Sequence, residues 1–417
     1  GRRDVGFRVA CAISETSQLP PGAPKLTADL DRRAAEWVLG LGGWLRIMPQ
    51  GKDINQLADL PAEPFQIVHV GIWNKPALTE DALRHLEGLT ALRHLELPAH
   101  PQIGPAGARH LASLKQLEFL ELGGARLTDS GVQELLSLEN LQHLVLPDNG
   151  LSDASMESLG KLKSLVRLQV GSNNLTGKGL ARLQSLTSLQ TLQMQATRLT
   201  DEDLRLLAAF PELSDLDLSG TLVTDAGLRH LQILRKIVVL KLNLLSITDA
   251  GLAELGKLNT EVLHDLTLSE TRVTDRGLQH LAGFRLRFLG LDATGIEGPG
   301  LDHVQPEPLK VLCLRETPIN DSTLEHVARM KSLTCLNLDN TAVTDAGLEA
   351  ISNLRNLQGL TLSGTRITDA GLDQLRNLVN LTTLILKGTG VTRAGVAKFQ
   401  AARPKCQVQW SAAVDSQ

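Results

Sequence analysis

Near its C-terminus the chain repeats one alternation of apolar and polar positions. It appears as CLNLDNTAVTDAGLEAISNL from Cys335, GLTLSGTRITDAGLDQLRNL from Gly359 and TLILKGTGVTRAGVAKF from Thr383. The common form is LxxLxLxxTxhTDxGLxxLxxL, where h is aliphatic, and units begin at Leu333, Leu357 and Leu381, a step of 24. Going backwards, the strand leucine falls at Leu312, Leu289, Leu266, Leu240, Leu216, Leu192, Leu168, Leu144, Leu120 and Leu95. Most steps are 24, the step from Leu240 to Leu266 is 26, and the next two are 23. Val68, within PFQIVHVGIW, reads as a degenerate first member, giving about fourteen units of about 24 residues.

Each half of the unit predicts one element. LxL has period two, so both leucines point inward and the residues between them outward. DxGLxxLxxL has the three- and four-residue spacing of a short amphipathic helix. The Thr before it, as in Thr224, Thr344 or Thr368, occupies an N-cap position, and the following Asp adds negative charge to the first turn. A lone unit cannot cover its apolar side. Stacked units bury it and pair their strands in parallel. The expectation is an α/β right-handed solenoid, a horseshoe or arc with a concave parallel sheet and short helices on the convex side. Position nine is Thr at Thr221, Thr271, Thr294, Thr317, Thr341, Thr365 and Thr389, and Asn at Asn149 and Asn173. Both side chains can hydrogen-bond backbone as the chain leaves the strand, so this column reads as structural.

The ends depart from the repeat. Residues 1–26, with Pro20, Pro21 and Pro24, read as a linker or the tail of an upstream domain. Residues 27–64 read as an N-terminal helical cap. In it Thr27 caps a helix from Ala28 to Leu39 with Leu30, Ala34, Trp37 and Val38 on one face. A Gly42-Gly43 turn, a strand Trp44–Ile47 and a second helix near Ile54 to Leu60 follow. Residues 65–403 are the repeats. Residues 404–417 form a C-terminal cap and tail: Pro404 stops the last helix, Cys406–Trp410 make a closing half-strand, Trp410 covers the final layer, and the chain from Ser411 is loose.

These repeats resemble the leucine-rich-repeat family over nearly all of residues 65–403. The TDAGL variant and the closing AGVAKFQAARPKCQVQW resemble arrays of planctomycete-type bacteria, as does DRRAAEWVL from Asp31. In those proteins the array often follows a serine/threonine kinase or another module. Arg3-Asp4-Val5-Gly6-Phe7-Arg8-Val9-Ala10 resembles the last strand of formylglycine-generating-enzyme-like domains. The resemblance implies protein recognition through the concave face, in the C-terminal part of a larger protein, and any catalysis would belong to the upstream portion.

Composition narrows the function. Hydrophobic residues make up 42% of the chain, yet aromatics only 3% with no Tyr, so leucine must fill the interior. A formal net charge of -4 gives no reason to expect a nucleic-acid partner. No apolar run approaches the roughly 18 to 20 residues that span a bilayer. The cysteines, Cys11, Cys313, Cys335 and Cys406, show no metal or disulfide-scaffold spacing, which favours reduced thiols and a cytoplasmic setting. Cys313 and Cys335 fall on adjacent strands two residues out of register, roughly 8 Å between Cα atoms and beyond disulfide reach.

Candidate chemistry is sparse. His85, His110, His230, His280, His303 and His326 share one helix-flank position, and equivalent sites on helices 8 to 10 Å apart cannot converge on one ion. Gly295–Gly300 mimics a phosphate loop but lacks its Lys and Ser/Thr, so it reads as a variant turn. No residue set calls for catalysis, a cofactor or a metal. Outward strand positions supply apolar anchors, Phe119, Val145, Val239, Phe288, Val311 and Ile385. They also supply His94, Glu96, Glu121, His143, Arg167, Asp215, Asp217, Lys241, Asp265, Asp292, Arg315 and Asp339. His94 and Glu96, beside Phe119 and Glu121, place imidazole and carboxylate close enough to shift one another. Asp215, Asp217, Asp265 and Asp292 make an acidic middle interrupted by Lys241, suited to a protein partner with basic residues. The expected reading is a monomeric, non-enzymatic binding scaffold. Its alternatives are the recognition arm of an enzyme or a substrate-receptor subunit.

Overall fold

A computed structural model describes residues 25–75, 78–258 and 261–412. The expectations for residues 1–24, Cys11 included, and for residues 413–417 fall outside them.

Helix α1 (Lys25–Gly40) is followed by strands β1 (Trp44–Met48), β2 (Lys52–Ile54) and β3 (Gln66–Gly71). β1 pairs antiparallel with both β2 and β3. From β3 onward the strands are parallel, each paired with the next: β4 (His94–Glu96), β5 (Phe119–Glu121), β6 (His143–Val145) and on to Gln407–Ala412. The result is one 17-stranded sheet, with a short α- or 3₁₀-helix after most strands on its other side. Leu95, Leu120, Leu144 and their successors to Leu384 pair in one continuous row, and all are at most 1% exposed. Burying each such leucine is worth about 1.5–3 kcal/mol, and no unit could do so without its neighbours. The longer step before Leu266 leaves this row intact, because Leu240 and Leu266 still pair. In sequence its extra residues follow the helix Asp249–Leu255.

The position-nine column is structural. Thr221, Thr271 and Thr341 each donate a hydroxyl to the carbonyl three residues back, at 2.6 to 2.7 Å. Asn149 and Asn173 bridge units: Asn173 Oδ1 accepts from the Asn149 and Leu151 amides while its Nδ2 donates to the Leu146 carbonyl. His100, fully buried, occupies the same column in its unit and accepts the Lys75 amide at Nε2.

Several local expectations are corrected. Val70, not Val68, pairs with Leu95. Arg46 opposes His69 while Ile47 opposes Ile67, so Val68 is the extra residue of a β-bulge that breaks the period-two count. α1 begins at Lys25, so Thr27 lies inside it and is not its cap. In place of a helix over residues 54–60 there are β2 and one 3₁₀ turn at Leu57–Asp59. The N-terminal cap is therefore a helix on a hairpin that extends the sheet. Ser411 and Ala412 continue the last strand, and Trp410 Nε1 donates to the Val391 carbonyl at 2.8 Å.

Candidate functional site: the open face of the sheet

Parallel strands about 4.8 Å apart stack equivalent side chains into columns. The open face carries three: the residue before each strand leucine, the residue after it, and the residue two further on. The first begins His69, His94, Phe119, His143, Arg167. In β3 the third position is Trp73, which is 46% exposed. Asp292, Arg315 and Asp339 also belong to the third column, just beyond the strands that end at Gly290, Cys313 and Asn337 rather than on them.

At the N-terminal end these columns hold an unbroken run of rings. Trp73 meets Trp44 edge-on at 6.3 Å, and Trp44 meets His69 at 4.4 Å. His69 and His94 are 5.1 Å apart, His94 stacks on Phe119 at 5.8 Å, and Phe119 meets His143 edge-on at 6.0 Å. Trp44 enters from β1, opposite Gly71, and an added Cβ there would fall 2.2 Å from the indole Nε1. Only glycine lets that ring lie on the strand. In a chain with 3% aromatics, placing Trp44, Trp73 and Phe119 on one face makes that face unlike the rest of the surface.

Glu96 ties this end together. Its Oε1 lies 3.0 Å from His69 Nε2, and its Oε2 accepts from Trp73 Nε1 at 3.2 Å. The imidazole that meets Glu96 is thus that of His69, its diagonal neighbour on β3, reached by the length of the glutamate side chain, and not that of His94 on its own strand. His94 is instead held between two rings, and burial, then the His69 charge, pushes its pKa down. Burial, then Arg167, does the same to His143. Glu121 stands in register with Glu96, and burial followed by the Glu96 charge pushes its carboxyl up. The sequence reading, framed on Val68, passes over Trp44, His69 and Trp73. A signal existed in the outward-facing aromatics of WLRIM and VHVGIW.

The middle of the face is acidic but largely self-satisfied. Asp217, 8% exposed, lies 3.7 Å from Lys241 on the next strand. Asp292 accepts the Arg315 amide at 2.8 Å and Asp339 the Ser363 amide at 2.6 Å. Burial pushes Asp215 and Asp265 up, and Asp215 Oδ1 is buried without a partner. Val145 neighbours Glu121, whereas Phe288 stands far off, beside Asp265 and Val311. The predicted set therefore divides into an N-terminal aromatic group and a separate acidic middle.

Cys313 opposes Asn337 while Cys335 opposes Val311, the expected two-residue offset, and both are free thiols, as is Cys406. Of the flank histidines, His85 stacks on Trp37 of α1 at 5.1 Å, and His326 lies 2.9 Å from Asp302. Among the described residues no group of three or more His, Cys, Asp or Glu could hold a metal, and no helix is long and apolar enough to cross a membrane. On the helical side a shallow cleft runs between Asp321, Glu325, Ala346 and Glu349.

Leucine-rich-repeat family models match residues 139–199 and residues 329–352. No curated protein sequence matches the chain. Among solved structures, the yeast Rad7 and Elc1 complex aligns with a TM-score of 0.57 at 20% identity, over 80% of this chain and 84% of that one. An internalin (inlF) from Listeria monocytogenes aligns with a TM-score of 0.50 at 22% identity, over 78% and 90%. A Leptospira interrogans leucine-rich-repeat protein aligns at 0.46 and 19% identity, over 82% and 89%. With the unbroken row of buried strand leucines, the family matches identify the chain as one built of leucine-rich repeats and folded as a leucine-rich-repeat solenoid.

Proposed function

We propose that this chain is a non-enzymatic protein-binding scaffold that docks a partner on the concave face of its sheet. Solenoids of this kind present extended concave surfaces for binding. The observation that carries the reading is the ring row from Trp73 to His143 on the open face, with Trp73 exposed and the other rings half-buried, in a chain that otherwise spends leucine on its interior. Aromatic side chains are enriched among the residues that dominate interface energies. The neutral imidazoles of His94 and His143 add adaptable donors and acceptors without adding charge. The acidic middle, reduced to Asp215 and Asp265 once internal pairs are counted, extends the same face. We further read the scaffold as a monomeric recognition arm of a larger protein in a reducing compartment, which fits the free thiols.

The test is affinity capture from the native cell with three baits: the chain itself, a Trp73→Ala/Phe119→Ala variant, and a Glu349→Lys variant on the helical side. A partner bound by the first and third baits but not by the second supports the proposal. A partner retained by the sheet-face variant and lost with Glu349→Lys overturns it.

A further inference from the structure

Glu96 and Glu121 are cross-strand neighbours in the same column, one after the strand leucine of β4 and the other after that of β5. Like charges directly opposite each other destabilise a sheet. Elsewhere in this column the fold neutralises an acid across the strand: Asp217 stands beside Lys241. At Glu96 the only such partner is the His69 imidazole, a counter-charge only when protonated, and at Glu121 there is none among the described residues. Glu96 meets only the imidazole of His69 and the indole of Trp73, and Glu121 has neither an ion pair nor a side-chain hydrogen bond among the described residues. The nearby Glu118 is already held by Arg93 at 2.5 Å. Burial and Glu96 together press Glu121 toward its neutral form, which is the response of a carboxylate that lacks a cation.

An ionised carboxylate offers about four lone-pair sites, and each Glu96 oxygen has one partner, so Glu96 retains room for further donors. The two carboxylates are bordered by the exposed indole of Trp73 and by the parallel rings of His94 and Phe119. A planar guanidinium matches this arrangement better than an ammonium does, because it forks onto carboxylates and stacks on aromatic faces at once.

We propose that the N-terminal end of the concave face, at Glu96 and Glu121 beneath Trp73 and Phe119, receives an arginine side chain of the docked protein. This inference rests on the concave-face docking reading and names the chemistry of its anchor. It places the basic contact away from the acidic middle, where Asp217, Asp292 and the neighbouring Asp339 are already engaged.

The experiment titrates the full chain with fluorescein-labelled hexa-arginine and hexa-lysine peptides at about 0.1 M salt, where exposed charges beyond about 10 Å are screened. Anisotropy is the readout. The expected result is saturable hexa-arginine binding that weakens about tenfold or more in Glu121→Gln, and also in Trp73→Ala. Binding is expected to persist in Asp215→Asn/Asp265→Asn, and hexa-lysine to bind at least several-fold more weakly. Glu121→Gln keeps the side chain's shape and removes a like-charge contact, so it should fold; unchanged circular dichroism checks this. The proposal falls if hexa-arginine does not bind, if Glu121→Gln binds it as well as the parent does, if hexa-lysine binds equally, or if the Asp215/Asp265 variant is the one that loses it. A native partner released by Trp73→Ala/Phe119→Ala but kept by Glu121→Gln would overturn the arginine assignment and leave the docking surface standing. A partner kept by both variants would remove the docking surface as well.

Discussion

The carboxylate of Asp225 accepts both the backbone N–H and the hydroxyl of Thr248, at 2.8 and 2.6 Å, one repeat further along the chain. The same hydroxyl accepts the Ala250 amide at 3.2 Å and so caps its own helix. At this junction the hydroxyl of Thr, or of Ser at Ser152, donates to the aspartate and accepts from its own helix. Asn320 holds the same position and caps Ser322, but there the preceding unit has Gly298 where the aspartate would stand. The latch recurs from Asp153 to Thr176, Asp249 to Thr274, Asp321 to Thr344, Asp345 to Thr368 and Asp369 to Thr392. Where Gly177 replaces the aspartate, Thr200 turns instead to Asp203 of its own unit.

Replacing a latch aspartate should loosen one junction and leave the fold intact. Asp225→Ala strands a part-buried amide and hydroxyl at Thr248, which costs about 1–3 kcal/mol. Asp225→Asn keeps one acceptor and should lose less. Native-state hydrogen exchange at the Thr248 amide reads this locally. Equal protection in the parent and Asp225→Ala would mean that the latch contributes nothing. Acid should act in the same direction. Burial works against the charge of Asp129, but its bonds from Ser152 and Ser155 hold that carboxyl below its ordinary value. Its contribution is therefore present above the unfolded-state pKa and is lost as pH falls through the lower folded value.

The glycine of TDxGL exists because of that aspartate. An added Cβ on Gly251 would lie 2.4 Å from Asp225 Oδ1, and on Gly371 2.3 Å from Asp345 Oδ1. Ala is the better helix former by about 1 kcal/mol, yet Gly251→Ala should destabilise, by about 1–3 kcal/mol, because the carboxylate must move. Combining it with Asp225→Ala removes the closest contact and leaves the flexible ends of Ile247 and Leu228 at 2.9 and 3.0 Å, so the double variant should be more stable than the sum of the single effects. Denaturant unfolding of the four proteins forms the cycle, and strict additivity would refute the steric account.

The repeat was legible because its physics is periodic: two-residue spacing for the strand, three- and four-residue spacing for the helix, and a fixed step between them. What lay hidden were contacts between units. Asp225 reads locally as a first-turn charge, and only stacking shows that it holds Thr248. At the N-terminal end the β-bulge at Val68 moved the frame by two residues, so Trp73 escaped the outward set. His69 faces outward in either frame and was passed over with the degenerate first unit, and its contact with Glu96 went with it. Trp44 could not be placed on the open face at all, because an antiparallel β1 cannot be read from parallel repeats.

The thiols should differ in reactivity despite lying on neighbouring strands. Burial, then Asp292 and Cys335, pushes Cys313 up to about 12, and thiolate is the reactive species. Cys335 is exposed. Iodoacetamide at about pH 8, near an unperturbed thiol's pKa, followed by peptide mass spectrometry, should label Cys335 well before Cys313. Labelling of both at one rate would show that Cys313 is not shielded as described, and a linked peptide would refute the two-residue offset.

The cap carries a pH dependence of opposite sign to the latches. Asp31 of α1 is 5% exposed and accepts the Ile67 amide of β3 at 2.6 Å. Burial outweighs that bond and raises its pKa from 3.8 to about 6. Between those values the folded cap holds a proton that the unfolded chain has released, so its stability is fully present below the unfolded value and declines as pH rises through about 6. The difference amounts to something on the order of 2–3 kcal/mol at neutral pH. Asp31→Asn keeps an oxygen for the Ile67 amide and cannot titrate, so its cap should be insensitive to pH across this window and firmer than the parent's near pH 7. Urea unfolding followed by the fluorescence of Trp37 and Trp44, at pH 4.5, 6 and 7.5, separates the two outcomes. A parent cap that strengthens with rising pH would mean that the Ile67 bond, and not burial, governs Asp31.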